Sequence, residues 1–76
     1  MVHAFVMVKT TAGASEALLK SITAIHQVDE AHIVAGDYDI IAELDAEEVY
    51  GILETVSNAL TTLDGVVDTR TYIALN

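Results

Sequence analysis

The stretch VAGDYDIIAEL, residues 34–44, decides the fold of this 76-residue chain. Two apolar segments flank the GDYD step at 36–39, which places two carboxylates and a phenol on one tight connection. This pattern predicts a β-hairpin, with one strand over residues 26–35 and the next over residues 39–44. Gly36 in the connection permits a positive φ.

The chain before this hairpin predicts a strand followed by a helix. Apolar residues alternate along residues 2–8, which is typical of a strand, but the intervening His3, Phe5 and Met7 are also largely apolar. We therefore expect both faces of this strand to be buried against other parts of the protein or a partner. Over residues 14–24, apolar side chains recur at helical spacing and predict an amphipathic helix.

The chain after the hairpin predicts a second helix and a last strand. Asp45 and Glu48 resemble an N-terminal capping pair, and four apolar residues follow at helical spacing, namely Val49, Leu53, Val56 and Leu60. Gly65 is a helix stop, and residues 66–75 return to β-branched and aromatic side chains.

The predicted order, β-α-β-β-α-β, indicates an α+β fold of the ferredoxin-like type. One antiparallel sheet then carries both helices on one face, and its other face stays bare. Because the bare face includes Phe5 and Met7, a monomer would expose a large apolar patch. We therefore expect a sheet-to-sheet homodimer.

Composition limits the classes of function. Twelve acidic residues against three basic ones give a net charge of −9, which opposes direct nucleic-acid binding. A solvated surface or a high-salt cytoplasm would each explain this acidity. The chain lacks cysteine, any apolar run of about 18 residues and the pattern of a signal peptide, so we expect one cytoplasmic domain over residues 1–76 without membrane contact.

Candidate catalytic chemistry is sparse. His3, His26 and His32 have no metal-ligand spacing, the serines have no nucleophile elbow, and no glycine-rich loop with lysine offers a phosphate cradle. We therefore predict no metal, no cofactor and no enzymatic activity.

The last strand, GVVDTRTYIALN at 65–76, is polar for a sheet interior. Thr69 and Thr71 share one face, whereas Arg70 and Tyr72 share the other. The threonines have two explanations, either hydroxyls for a ligand or plain β propensity. For the aspartates of GDYD, an Asx-turn that caps the hairpin is the alternative to ligand binding.

Taken together, VAGDYDIIAEL and, about 20 residues later, LDGVVDTRTYIALN resemble the effector-binding (RAM) domain of the Lrp/AsnC transcription regulators. The resemblance covers essentially the whole chain. It implies a ferredoxin-like domain of the dimeric α+β barrel type that forms dimers, assembles further into tetramers of dimers and binds amino acids at subunit interfaces.

The same resemblance implies a set of ligand-binding residues from the hairpin and the last strand. Asp39 would receive the ligand or hold the hairpin that does, backbone groups near Gly36 would meet the amino-acid head group, and the threonines would supply hydroxyls. The implied set is Gly36, Asp37, Tyr38, Asp39, Thr69, Thr71 and Tyr72.

One departure from the family pattern is the missing helix-turn-helix domain, because the chain starts at the first strand of the sensor. It is similar to stand-alone forms, which implies amino-acid sensing or co-assembly with full-length regulators. Two other classes stay open: a structural oligomerisation module without a ligand, and a small dimeric α+β barrel enzyme using His3, His32 and Tyr72.

Overall fold

The computed structural model describes residues 1–76 and contains one four-stranded antiparallel sheet with the strand order β2-β3-β1-β4. Along the chain the elements are β1 (Val2–Thr10), α1 (Ser15–Thr23), β2 (Val28–Ile33), β3 (Ile40–Ala46), α2 (Val49–Thr55) and β4 (Val66–Ile73). A π-helical segment, Val56–Leu60, continues α2. The ferredoxin-like α+β fold predicted from the sequence is confirmed.

One face of the sheet forms the core together with the helices. Successive side chains of a strand point to opposite faces, and residues paired across strands share a face. On this face the β1 and β3 side chains are fully buried, at Ala4, Val6, Val8, Ile40, Ala42 and Leu44. The helices add Leu18, Ile22, Ile52 and Leu60.

The opposite face of the sheet, which we call the bare face, has no helix over it. On β1 it presents His3, Phe5 and Met7, which pair with Asp45, Glu43 and Ile41 of β3. On β4 it presents Tyr72 and Arg70, opposite Phe5 and Met7. The aromatic side chains of Phe5 and Tyr72 remain 38% and 53% exposed. Phe5 and Met7 lie on this face, as the alternation along β1 predicted, but the face mixes apolar with charged groups.

The second helix approaches the sheet closely. A Cβ at Gly51 would stand 3.1 Å from the Cβ of Ala46, so a small residue is needed there. Thr55 is buried and its hydroxyl donates to the Gly51 carbonyl at 2.9 Å, which satisfies the polar group. The π-helical turn closes with the Thr61 amide donating to the Val56 carbonyl. Neither helix is long and apolar enough to cross a membrane.

The hairpin differs in detail from the prediction. The second strand ends at Ile33, and the Val34 amide donates to the Asp39 carbonyl at 2.8 Å, so the connection is longer than the three residues expected. Gly36 does not use a positive φ; the glycines that do are Gly13 and Gly65.

The predicted capping role of Asp45 is wrong. Asp45 lies inside β3, because the β1–β3 ladder continues to the pair Val2 and Ala46, and its carboxylate contacts His3 at 2.6 Å. Helix α2 begins after Glu48, whose side chain makes no capping hydrogen bond. Long-range strand pairing here overrides a local capping pattern.

Candidate functional site

A groove of about 410 Å³ lies at one end of the bare face, beside the β2–β3 hairpin. The sheet forms its floor and the hairpin connection forms its rim. The groove is lined by Met7, Val34, Ala35, Gly36, Asp37, Tyr38, Ile41, Arg70 and Tyr72.

Strand register explains the floor of the groove. Met7 of β1 pairs with Ile41 of β3 on one side and with Arg70 of β4 on the other, so the three side chains form a row across the bare face. At the rim, nothing lies within 4 Å of the position that a Cβ on Gly36 would take. The glycine therefore leaves the hairpin side of the groove open.

The groove contains one permanent cation and one carboxylate, Arg70 and Asp37. Arg70 takes part in none of the salt bridges of the structure, which all involve histidine. Its guanidinium lies beside the Tyr72 hydroxyl, without a well-formed hydrogen bond, and near the Tyr38 phenol; these neighbours, Tyr72 first, raise the pKa of Arg70 above its ordinary value. The guanidinium is therefore exposed near two phenols and has no salt-bridge partner in the chain.

The hairpin itself is tied to the sheet. The Lys9 ammonium donates to the Asp37 backbone carbonyl at 3.0 Å, and the Asp39 amide donates to the Val8 carbonyl at 2.9 Å. These bonds position the rim of the groove while leaving the Asp37 carboxylate without a hydrogen-bond partner in the chain. That carboxylate is exposed and available to a ligand.

The structure brings four of the seven residues that the sequence predicted as ligand-binding to this groove. Gly36, Asp37, Tyr38 and Tyr72 line it. Asp39, Thr69 and Thr71 do not.

Asp39 faces β1 instead. Its carboxylate accepts a hydrogen bond from the Thr10 amide at 2.8 Å and a longer one from the Thr10 hydroxyl at 3.4 Å. Of the two roles expected for Asp39, the geometry favours holding the hairpin over receiving a ligand.

The two threonines lie on the other face of the sheet. Thr69 pairs with Val8 and Thr71 with Val6, and both valines are fully buried on the helix side. Their hydroxyls are therefore separated from the groove by the sheet itself. Because side chains alternate between the two faces of a strand, the sequence already predicted that the two threonines lie on the face opposite to that of Tyr72.

Comparison with known proteins identifies the family. The model of the Lrp/AsnC ligand binding domain matches residues 3–76. The chain belongs to the Lrp/AsnC ligand-binding domain family. The family resemblance inferred from the hairpin and the last strand is thus confirmed.

Similar proteins share this Lrp/AsnC domain. The leucine-responsive regulatory protein of Haemophilus influenzae is 31% identical over 55 residues, which cover 72% of this chain and 33% of that protein. The protein of the same name from Escherichia coli K12 is 28% identical over 74 residues, covering 93% of this chain and 45% of that protein. The chain thus spans less than half the length of these curated relatives.

Among solved structures, the protein TTHA0845 of Thermus thermophilus has a similar fold. It is 30% identical and superposes with a TM-score of 0.95, covering all of this chain and 95% of its own. The match over nearly both full lengths supports the strand order and the position of the hairpin described above.

Five residues that line the groove were not among those predicted from the sequence: Met7, Val34, Ala35, Ile41 and Arg70. Arg70 had a usable signal, because it is one of only three Lys or Arg residues in the chain and shares a strand face with Tyr72. The apolar residues had none, because an apolar groove wall and an apolar core position look alike in a sequence.

The histidines named for the enzyme alternative lie outside the groove. His3 is on the bare face, between Asp45 at 2.6 Å and Glu43 at 3.1 Å, and His32 contacts Glu30 at 2.8 Å. The carboxylate partners of His3 are 42 and 40 residues away along the chain, so no local sequence pattern shows them. No group of three or more His, Cys, Asp or Glu side chains is arranged to hold a metal ion.

Proposed function

We propose that this domain binds a free amino acid in the groove at the β2–β3 hairpin. The observation that carries this proposal is the combination of Arg70, Asp37 and apolar walls in one groove at the edge of the bare face. A zwitterion that leaves water needs a partner for each of its two charges, and its side chain gains from apolar contact.

The roles follow from the chemistry of the side chains. The planar guanidinium of Arg70 suits a carboxylate, to which it can donate two parallel hydrogen bonds. The Asp37 carboxylate suits the α-ammonium group. Met7, Val34 and Ile41 then face the side chain of the amino acid, and the Tyr38 and Tyr72 rings border the head group.

Self-association is the second part of the proposal. The groove opens onto the bare face, where Phe5 and Tyr72 are exposed. A second copy of the chain packed on this face would cover both the aromatic groups and the open side of the groove, which is economical for a chain of 76 residues. We expect a homodimer, with tetramers of dimers as a further step.

The relatives support a regulatory rather than a catalytic role. They are named leucine-responsive regulatory proteins and are longer than this chain. By this argument the chain senses an amino acid, works without enzymatic turnover and co-assembles with longer regulators that carry the same domain.

The test is calorimetric titration with amino acids, and L-leucine comes first because of the names of the relatives. Two matched compounds separate the charges: 4-methyl-2-oxopentanoate lacks the ammonium group, and 3-methylbutylamine lacks the carboxylate. We expect L-leucine or another amino acid to bind and both truncated compounds to bind at least about tenfold more weakly, since a charge-assisted bond contributes about 1.5–3 kcal/mol.

Arg70→Gln should weaken amino-acid binding by about 10- to 100-fold for the same reason. Lys20→Gln is the matched control, because it removes one positive charge from an exposed position on α1, on the other side of the sheet. Equal losses in the two variants would mean that only net charge matters. Absence of heat with every amino acid at millimolar concentration would leave a structural oligomerisation module as the function.

A further inference from the structure

We propose that the protonation state of His3, in its cluster with Glu43 and Asp45 on the bare face, controls self-association. A second copy of this chain packs on the bare face when His3 is an imidazolium and dissociates when His3 is neutral. This inference rests on the self-association in the proposed function and adds the condition under which the two faces fit. It does not depend on amino-acid binding.

The geometry of the cluster favours a proton on each ring nitrogen. Nδ1 of His3 lies 2.6 Å from an Asp45 oxygen, and Nε2 lies 3.1 Å from a Glu43 oxygen. A neutral imidazole has one N–H donor, so one of its nitrogens would direct a lone pair at a carboxylate; the imidazolium donates to both. Two carboxylates on opposite edges of the ring therefore select the charged form.

The titration of His3 agrees with this geometry. The hydrogen bond with Asp45 is the largest influence and raises the pKa of His3 above 6.5; burial acts in the opposite direction, and Glu43 adds to the rise. The imidazole and the Phe5 ring are also arranged edge to face, with centroids 5.0 Å apart and an interplanar angle of 85°. The proton thus sits beside the apolar part of the bare face.

Other charged and titratable groups of the bare face lie on β2, on β4 and at the end of β1. On the side of β3 away from His3, β2 contributes Glu30, paired with Glu43, and His32, paired with Ile41 in the same row as Met7 and Arg70. From β4, Tyr72 lies opposite Phe5. The permanent cations Lys9 and Arg70 and the carboxylate of Asp68 lie toward the end of this face away from His3. Of the histidine, lysine and arginine side chains on this face, His3 is therefore the one placed to neutralise Glu43 and Asp45.

Packing two copies through this face would remove water from the cluster. Glu43, Asp45 and an imidazolium sum to one negative charge, whereas with neutral His3 they sum to two. Side chains of the cluster are only about a third exposed already, at 32% for His3 and Asp45 and 29% for Glu43. Because burying an unpaired charge is costly, loss of the proton from both copies should separate them.

The experiment is sedimentation equilibrium of the chain between pH 5.5 and 8.5 at constant ionic strength. We expect the dimer dissociation constant to rise at least about tenfold as the pH increases across the upper half of this range, because up to two protons are released per dimer. A dissociation constant that stays constant or falls with rising pH would overturn the inference. A falling constant would mean that Lys9 and Arg70 of one copy neutralise the carboxylates of the other.

Variants assign the effect to the cluster. In the double variant Glu43→Gln with Asp45→Asn, no carboxylate remains in the cluster, so association should persist and the rise of the dissociation constant with pH should be lost. His3→Gln should lose the same dependence and serves as a second variant should the double one fail to fold. His32→Gln is the matched control at the exposed edge strand and should keep the wild-type dependence.

The outcomes separate this inference from the function proposed above. A pH-independent dimer that binds an amino acid overturns the inference alone. A monomer at every pH overturns both the inference and the self-association, but leaves amino-acid binding to be decided by calorimetry. Dependence retained in the double variant also overturns the inference, because another group would then carry the proton.

Discussion

The Asp39 carboxylate accepts a hydrogen bond from the backbone amide of Thr10 at 2.8 Å, and this contact joins the β2–β3 hairpin to the end of β1. The β1–β4 register shifts between Lys9 and Thr10, so the regular ladder is interrupted at this position. A carboxylate from the hairpin supplies an acceptor there. The Thr10 hydroxyl also contacts the Ser15 hydroxyl at 3.1 Å, which extends the connection to the start of α1.

Asp39→Ala should destabilise the fold. It removes a charge-assisted hydrogen bond to a partly buried amide, which contributes about 1.5–3 kcal/mol. Urea denaturation at fixed protein concentration measures the loss. Asp37→Ala is the matched control in the same hairpin; its carboxylate is exposed, so we expect a change within about 0.5 kcal/mol.

The same pair of variants distinguishes an aspartate that stabilises the fold from one that binds the ligand. We expect Asp37→Ala to weaken amino-acid binding and Asp39→Ala to act through stability. Loss of affinity in Asp39→Ala with an unchanged denaturation midpoint would show instead that Asp39 contacts the ligand.

Gly65→Ala should also destabilise the fold. Gly65 has φ +98°, which is unfavourable for residues with a side chain, and an added Cβ would stand 3.2 Å from Leu18 and 3.3 Å from Ala14. We expect a cost of about 1–2 kcal/mol from the backbone conformation alone, measured as a shift in the urea midpoint. An unchanged midpoint would mean that the loop before β4 relaxes around the methyl group.

The fold was largely predictable from the sequence because its signals are periodic. Alternation along β1, helical spacing before and after the hairpin, and the glycine stop at Gly65 each reported a local element. What failed was the assignment of Asp45. Its surroundings fit a helix cap locally, and only pairing with a strand more than 40 residues earlier makes it part of β3.

The candidate groove was only partly predictable, for a different physical reason. Sequence patterns give the face on which a strand residue lies, but they do not show which strands are neighbours. Arg70 meets Met7 and Ile41 because β1 lies between β4 and β3, an arrangement that no local pattern contains. The His3 cluster was not predictable for the same reason, because His3 meets Glu43 and Asp45 only through the pairing of β1 with β3.

Gly36→Ala should leave the fold intact and weaken the binding of the amino acid. Gly36 has no positive φ, and nothing lies within 4 Å of the added Cβ, so the change in unfolding free energy should be within about 0.5 kcal/mol. The methyl group would project at the groove rim, where we expect about a three- to tenfold loss of amino-acid affinity. Calorimetry beside a urea midpoint tests both; a stability loss as large as that of Gly65→Ala would contradict the open rim.

The last prediction ranks the two carboxylates that contact His3. Asp45 lies closer to the ring than Glu43, at 2.6 Å against 3.1 Å, and is the larger influence on the raised pKa of His3. Asp45→Asn should therefore lower the pKa of His3 more than Glu43→Gln does. Titration of the His3 ring protons by NMR measures both shifts, and the reverse order would contradict the ranking.

The raised pKa also fixes the direction of the effect on folding. Because the folded chain holds the His3 proton more tightly than the unfolded chain, the stabilisation is fully present below pH 6.5 and is lost as the pH rises through the folded-state pKa. Urea midpoints of the wild type, measured at one protein concentration, should fall over that interval, and those of His3→Gln should fall less. Equal slopes for the two proteins would assign the pH dependence to other groups.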